Sequence, residues 1–284
     1  MMSKEMQNRP DLISIVIPCY NDTQFIEQAV DSALNQTYFD KEIIVVDDGS
    51  DFETKKVLKN IEHKITKLIT QENKGQSTAR NVGIRYAKGE FVLVLDSDDF
   101  FEPTFCEKAI NIFTSCKETK IVSCYANLLF NNGKKLHYKP KGGTIHDFLF
   151  FNQILGTSMF KRQDWEYCGG YDESMRNGFE DWEFFIRLLK NGGIAEVIKE
   201  HLYNYRKRLN STTLKANENK YELLKYMFLK HKELYINNFE LTISHLLNGI
   251  EREEIEKRKN TERLEFKIGQ TILKPIRWVK SLLG

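Results

Sequence analysis

Three carboxylates fall within four positions at Asp96-Ser97-Asp98-Asp99, directly after the apolar run Phe91-Val92-Leu93-Val94-Leu95. Acids this close repel one another unless a cation sits among them. A hard divalent ion such as Mg²⁺ or Mn²⁺ takes oxygen ligands, commonly one or two carboxylates together with substrate phosphates and water. The spacing therefore points to diphosphate binding through a metal; the plainer alternative is a solvated turn that caps the next helix. Asp47-Asp48 ends a second apolar run, Glu42-Ile43-Ile44-Val45-Val46, and Tyr20-Asn21-Asp22 follows a third, Ser14-Ile15-Val16-Ile17-Pro18. Asp48 can accept a hydrogen bond from an N–H of a base such as uracil or guanine, or can serve the Asp47-Asp48-Gly49-Ser50 turn alone. Where phosphates bind, Lys74 or Arg80 can offset their charge. Glu180-Asp181 opens a further segment, in which a carboxylate can complement the helix dipole or take a proton from an attacking hydroxyl. No GxGxxG follows the first run and no GxxxxGK[ST] occurs, which argues against a dinucleotide oxidoreductase and a P-loop NTPase.

These residues need elements to hold them. The β-branched runs 14–18, 42–46, 67–69 and 91–95 read as strands. Helix-period segments separate them: a stripe from Phe25 to Leu34 with Asp22 as its N-cap, a short helix through Val57 and Leu58, and Ser77–Ala87. Strands apolar on both faces and alternating with helices predict a parallel sheet with helices on both faces. Ligands bind such sheets at the carboxyl ends of the strands, where the acidic loops gather. Farther on, residues 121–138 read as a hairpin through Asn131-Asn132-Gly133, 156–160 as a strand and 179–190 as a strong helix. From about residue 217 onward the pattern is helical.

Read in order, several blocks resemble the signature of family 2 glycosyltransferases, as found in bacterial surface-polysaccharide enzymes. They are Ser14-Ile15-Val16-Ile17-Pro18-Cys19-Tyr20-Asn21, Val45-Val46-Asp47-Asp48-Gly49-Ser50, Asn73-Lys74-Gly75 with Ala79-Arg80-Asn81, and Leu95-Asp96-Ser97-Asp98-Asp99. Gly169-Gly170-Tyr171-Asp172-Glu173 and Glu180-Asp181-Trp182 continue the likeness, which spans roughly residues 11–213. The resemblance implies the Rossmann-like GT-A fold, a nucleotide-sugar donor (usually a UDP-sugar), Mn²⁺ or Mg²⁺, and inversion at the anomeric carbon. It assigns Pro18 and Tyr20 to the nucleobase pocket and Asp48 to reading the base; Asn21, Lys74 and Arg80 are counted beside them as candidates for nucleotide-sugar binding. Asp96 falls near the ribose, Asp98 becomes the metal ligand and Asp181 the general base. Glu180 and Trp182 are candidates for the acceptor or the diphosphate, Trp182 being equally a residue of the core. Many members carry Tyr-Arg-x-His late in the domain; here Tyr205-Arg206-Lys207-Arg208 puts Arg208 in the histidine's place. A guanidinium does not ligate a metal, but it can contact a diphosphate. Tyr38, Trp165, Tyr171 and Trp182 are candidates to stack on an acceptor sugar.

The expected organisation is a flexible N-terminus (1–10), a transferase domain (11–213, with a nucleotide-sugar half to 100 and an acceptor half from 101), and a helical extension (214–284). A length of 284 residues, 41% hydrophobic, suits one large core with an appendage. The 42 basic and 40 acidic residues are interspersed, so nucleic acid is not an expected partner. No apolar run reaches the ~18 residues of a spanning helix, no signal-type segment opens the chain, and five scattered cysteines include no CxxC. All three observations point to the cytoplasm. Residues 266–284 carry Lys267, Lys274, Arg277 and Lys280 without an acid, among apolar residues and Trp278. Such a segment can lie on the inner face of the plasma membrane beside a lipid-linked glycan acceptor; the alternative is packing on the domain or on a second copy in a homodimer. Two other functions remain as alternatives to transfer. A sugar-phosphate nucleotidyltransferase should show a Gly-rich basic loop after the first strand, and an inactive nucleotide-sugar-binding subunit would have no need of intact Asp98 and Asp181. The sugar, acceptor and linkage are open.

Overall fold

Strands whose two faces are both apolar must be covered on both sides, and the chain does this with the helices that connect them. The computed structural model describes residues 9–208 and 216–282, with the side chains of all but 9, 10 and 276–282. β1 (Arg9–Cys19), β2 (Lys41–Asp47), β3 (Lys67–Thr70) and β4 (Gly89–Val94) run parallel, with Ile13–Cys19 in register with Lys41–Asp47. α1 (Ile26–Leu34), α2 (Phe52–Ile61) and α3 (Gln76–Tyr86) connect them. One face of the sheet buries Ile13, Ile15, Ile17, Ile43 and Val45 against Ile26, Ala29 and Val30 of α1. The other packs Ile44 and Val46 against Ala79 of α3. A Cβ on Gly83 would lie 2.4 Å from Val16 Cγ1, so α3 rests on β1 at a distance only glycine permits, and this holds Arg80, one turn earlier, close to the sheet.

The second half widens the sheet with mixed strands. β5 (Phe100–Phe101) and α4 (Phe105–Ser115) precede the hairpin β6 (Thr119–Phe130) and β7 (Lys135–Tyr138). α5 (Ile145–Phe148), β8 (Met159–Lys161), α6 (Arg162–Cys168), α7 (Glu180–Leu189) and β9 (Ile194–Lys207) follow. β8 enters antiparallel between β4 and β6, and β9 runs parallel to β6 and antiparallel to β5. The order is β3-β2-β1-β4-β8-β6-β9-β5, with β7 paired to β6. This is the expected α/β architecture, although β5, α4, α6 and β9 had no counterpart in the sequence reading and β8 begins three residues later than expected.

Asp22 does not cap α1. The first turn is closed instead by its carbonyl, which accepts from the N–H groups of Phe25 and Ile26, and its carboxylate turns elsewhere. Asp51 does cap α2, its carboxylate accepting from Thr54 N at 2.8 Å.

The chain divides into two compact units between Met227 and Phe228, later than the expected boundary at 213. The reason is α8 (Lys220–Lys230): Tyr226 Oη donates to Asp172 at 2.7 Å, and Ala216 and Met227 are buried. The second unit contains α9 (Lys232–Asn237), α10 (Phe239–Glu262) and α11 (Leu264–Leu282), with Tyr235 buried and its ring 4.6 Å from that of Phe228. α11 continues through Pro275. Among the described residues no helix is long and apolar enough to cross a membrane. The expected flexible terminus lies outside the described residues as far as position 8; Arg9 and Pro10 already belong to β1.

Candidate active site

The carboxyl ends of β1, β2 and β4, the last residues of β9 and the start of α7 surround one cleft of about 1100 Å³. Of the residues singled out in the sequence, Pro18, Tyr20, Asn21, Asp48, Arg80, Asp96, Asp98, Glu180, Asp181, Trp182 and Arg208 all line it. Lys74 does not: its side chain is exposed, and it contributes only a backbone N–H.

The nucleobase end is organised by Asp48, which is 3% exposed. Its Oδ1 accepts from Gln71 Nε2 (2.7 Å) and Lys74 N (2.8 Å), and its Oδ2 from Gly75 N (2.8 Å). Three of roughly four acceptor positions on the carboxylate are thus spent on holding the 71–75 loop, which leaves one for a ligand. Asn21 adopts φ 56°, a left-handed conformation that asparagine tolerates. Its N–H donates to Ser50 Oγ (3.1 Å) and its Oδ1 accepts from Asp51 N (2.8 Å), tying the β1 loop to α2 and leaving Tyr20 half exposed at the rim.

Arg80 reaches the cleft floor from α3. It is buried, with Nη2 on Asp96 Oδ1 at 2.8 Å and Nη1 on Glu180 Oε1 at 2.7 Å, so one guanidinium joins the donor half to the acceptor half. Gln76 Nε2 also donates to Glu180 Oε1, at 2.6 Å. Asp181 has looser ties: Oδ1 accepts from Trp182 N (2.7 Å) and Oδ2 from Asn152 Nδ2 (3.2 Å), and the side chain is half-buried. Burial raises both carboxyls above their usual range, while Arg80 pulls in the opposite direction. The residue before them, Phe179, sits at φ 63°, a strained conformation for an aromatic side chain, and follows Gly178 at φ 112°. A Cβ on Gly156 would lie 2.6 Å from Asp181 Oδ2, so the base-side wall is closed by a glycine.

Around the acidic triplet each carboxylate has a protein partner. Asp99 Oδ2 accepts from Tyr203 Oη (2.5 Å) and Oδ1 from Arg206 N (2.7 Å), which latches this loop to β9. Arg206 also donates to the Asp98 carbonyl. Arg208 Nη1 lies 2.5 Å from Asp22 Oδ1 and 3.1 Å from Asp98 Oδ2, and Ser97 Oγ donates to Asp22 Oδ2 at 2.5 Å. Burial, Asp96 and Asp22 push the Asp98 carboxyl up to about 6 despite Arg208. Burial opposes the Arg208 charge, but Asp22 and Asp98 outweigh it and raise its pKa. Among the described residues no group of three or more His, Cys, Asp or Glu side chains comes together as a metal site.

The aromatic expectations divide. Tyr38 bonds the Asp11 carbonyl away from the cleft, Trp165 donates to Asn81 Oδ1 in the interior, and Tyr171 is 2% exposed. Trp182 reaches the wall but is buried, its indole N–H donating to Phe148 O at 2.7 Å. Besides Tyr20, exposed aromatic surface in the cleft comes from Tyr138 and Phe151, which the sequence reading passed over. Asp22, read as a cap, is a further cleft residue; the signal for it was its position just past the Tyr20-Asn21 pair that follows β1.

Comparison with known proteins adds to this geometry. The sequence profile described as glycosyl transferase family 2 matches residues 14–175. The chain is 34% identical over 252 residues to an uncharacterised glycosyltransferase of Haemophilus influenzae, covering 84% of this chain and 96% of that protein. It is 31% identical over 206 residues to chondroitin synthase of Escherichia coli, covering 67% of this chain and 28% of that enzyme. The chain thus spans under a third of the synthase it resembles. The crystal structure of S. aureus TarS 1–349 in complex with UDP-GlcNAc superposes with a TM-score of 0.62 at 21% identity, covering 77% of this chain and 66% of that one.

Proposed function

The chain belongs to glycosyl transferase family 2, and from that premise we propose that it moves a hexosyl or N-acetylhexosaminyl group from a UDP-sugar to a hydroxyl of a glycan or lipid-linked acceptor in surface-polysaccharide synthesis, with inversion. The observation that carries this reading is the placement of Asp181 in one cleft with the donor-side acids, next to Glu180, which Arg80 joins to Asp96. UDP-GlcNAc in the TarS complex supports the choice of nucleotide, and a cleft of this volume accommodates a nucleotide sugar and part of an acceptor.

In the step we propose, the acceptor oxygen attacks the anomeric carbon from the side opposite the diphosphate. Its proton passes to Asp181, the new glycosidic C–O bond forms, and the electron pair of the breaking C–O bond leaves with the nucleoside diphosphate. A carboxylate is a far weaker base than an alkoxide, so it acts by taking the proton in the transition state, and a raised pKa improves it for that task. Glu180 is the less suitable base, because Arg80 and Gln76 both occupy its Oε1. Asn152 orients Asp181, and Tyr138 and Phe151 offer faces for an acceptor sugar.

The resemblance also implies Mn²⁺ or Mg²⁺ at Asp98. The donor set does not fit that ion: Asp98 Oδ2 and Asp22 Oδ1 share one guanidinium, Asp96 is held by Arg80 and Asp99 by Tyr203 and Arg206. No step above is routed through a metal.

Asp181→Asn tests the reading. A panel of labelled UDP-, GDP- and dTDP-sugars should identify one donor that is hydrolysed or transferred. The variant should then lose about 10²- to 10⁴-fold in turnover, the range for a general base, while binding UDP within about twofold of wild type. A variant that keeps most of its turnover would show that Asp181 is not the base. The exposed apolar residues Leu264, Phe266, Ile268 and Ile272 of α11 support peripheral membrane contact near a lipid-linked acceptor.

A further inference from the structure

We propose that Arg208 is itself the cation of the diphosphate site, so that the nucleotide diphosphate binds, and its charge is offset, without a bound divalent ion. This rests on the donor reading given above and deepens it.

The guanidinium of Arg208 lies between two carboxylates from separate loops, 2.5 Å from Asp22 Oδ1 and 3.1 Å from Asp98 Oδ2. Its central carbon is 5.4 Å from the centre of the Phe25 ring, which gives it an aromatic face to rest on. For Asp98 Oδ2 to ligate a metal, it would have to accept a doubly charged ion within about 2.1 Å while a guanidinium nitrogen stays at 3.1 Å. Two cations that close on one oxygen repel, so metal and guanidinium exclude each other at this oxygen. The neighbouring acids are each engaged by a protein group as well. Ser97 Oγ occupies Asp22 Oδ2, Arg80 holds Asp96 on the cleft floor, and Asp99 faces β9.

The same geometry suits a diphosphate. A guanidinium carries five N–H donors in a planar fork, so two acids can hold one edge while another edge faces the ligand. The Arg208 side chain is 40% exposed although its Nη1 is engaged by both acids, which leaves the rest of the fork open to the cleft. Its charge is fixed and preorganised, which is what a leaving diphosphate needs as its negative charge grows. Asp22 and Asp98 then act as positioning residues for Arg208 rather than as metal ligands.

The test is equilibrium binding of UDP to the full chain by calorimetry, in EDTA and in MnCl₂, with Mn²⁺ binding followed separately by electron paramagnetic resonance. Wild type should bind UDP with a Kd that changes less than about threefold between the two conditions, and should show no immobilised Mn²⁺. Arg208→Ala should weaken UDP binding by about 10- to 100-fold in both conditions, the fold-change of one charge-assisted contact. Arg208→His should bind UDP at least about tenfold more tightly with Mn²⁺ than with EDTA and should acquire the Mn²⁺ signal. Wild-type binding of UDP that requires Mn²⁺, or an Arg208→Ala protein that binds like wild type, would overturn the proposal and leave the donor reading intact. Failure of UDP, GDP and dTDP alike to bind the folded wild-type chain in either condition would overturn both. The wild-type comparison needs no variant, so a poorly folding substitution does not blunt it.

Discussion

Replacing Arg80 by Met would remove one guanidinium from between two acids of unequal burial, and the inequality sets the outcome. Asp96 has a third of its side chain exposed, so its loss of a partner is screened and costs no more than a surface pair, about 0–1 kcal/mol. Glu180 is 5% exposed at its side chain and would keep only Gln76. An unpaired buried carboxylate costs about 3–5 kcal/mol, but Glu180 can escape by binding a proton. Burial already raises that carboxyl to about 7 in the wild type, so protonation costs little at pH 7 and about 1.36 kcal/mol more for each pH unit above. The expected destabilisation is therefore under about 1.5 kcal/mol at pH 7 and about 2–3 kcal/mol at pH 8.5. The sign follows from linkage: the unfolded state is common to both proteins and the substitution raises the folded-state pKa of Glu180 further, so the penalty grows as pH rises from the wild-type folded value towards the variant's. Urea unfolding of wild type and Arg80→Met at both pH values measures it. Arg80→Met/Glu180→Gln, which removes the stranded charge, should recover at least about half of the loss. A penalty below about 1 kcal/mol at pH 8.5, or one equal at the two pH values, would refute the assignment of the cost to a buried unpaired Glu180.

Other outcomes follow from the cleft. Burial raises the Asp181 carboxyl, and a base must be ionised, so kcat/KM should fall with decreasing pH along a limb that lies above the ordinary carboxylate range. Asn152→Ala, which removes a hydrogen bond to the charged form, should move that limb to higher pH, and a limb that stays put would remove Asn152 from the role of orienting the base. Gly156→Ala would place a Cβ 2.6 Å from Asp181 Oδ2; it should lower kcat by about tenfold or more with UDP affinity unchanged, and equal loss of both would argue for general damage instead. Deleting the residues after Asn260 should abolish flotation with vesicles containing anionic lipid, and unchanged flotation would rule out α11 as the contact.

What could be read in the sequence were the strands whose burial is uniform. β1, β2 and β4 are β-branched runs covered on both faces, and each ends in the polar residues that form the cleft, so the strands and Asp48, Asp96 and Asp98 were found together. β9 escaped because its sequence, Ile-Ala-Glu-Val-Ile-Lys-Glu-His-Leu-Tyr-Asn-Tyr-Arg-Lys, mixes charges with irregular burial, and its pairing to β6 shifts register three times. Yet it carries Tyr203 and Arg206, which fix the acidic loop. Asp22 was misread for a related reason: a cap and a cleft carboxylate share one residue type, and only the carbonyl bonds to Phe25 and Ile26 show which job the backbone has already done. Residue type alone marked Trp165 and Tyr171 as candidates to stack on a sugar without telling core from cleft, because an aromatic side chain serves either place. The acceptor wall at Tyr138 and Phe151 lies on a hairpin and a loop, where neither period operates.

The position of Arg206 and Arg208 at the far end of β9 has a consequence in time. Asp22, Asp96 and Asp98 are all made before residue 100, whereas the guanidiniums that bond the Asp98 carbonyl and carboxylate come more than a hundred residues later. At translation rates of about 5–20 residues per second, a growing chain holds these acids for roughly 5–20 s before their counter-charges leave the ribosome. Over that interval Arg80, encoded between the first acid and the last, is the internal cation already made that pairs with this group, through Asp96. The first four strands must therefore settle around a pocket that is still electrostatically unfinished, and the last strand of the sheet brings the charges that complete it.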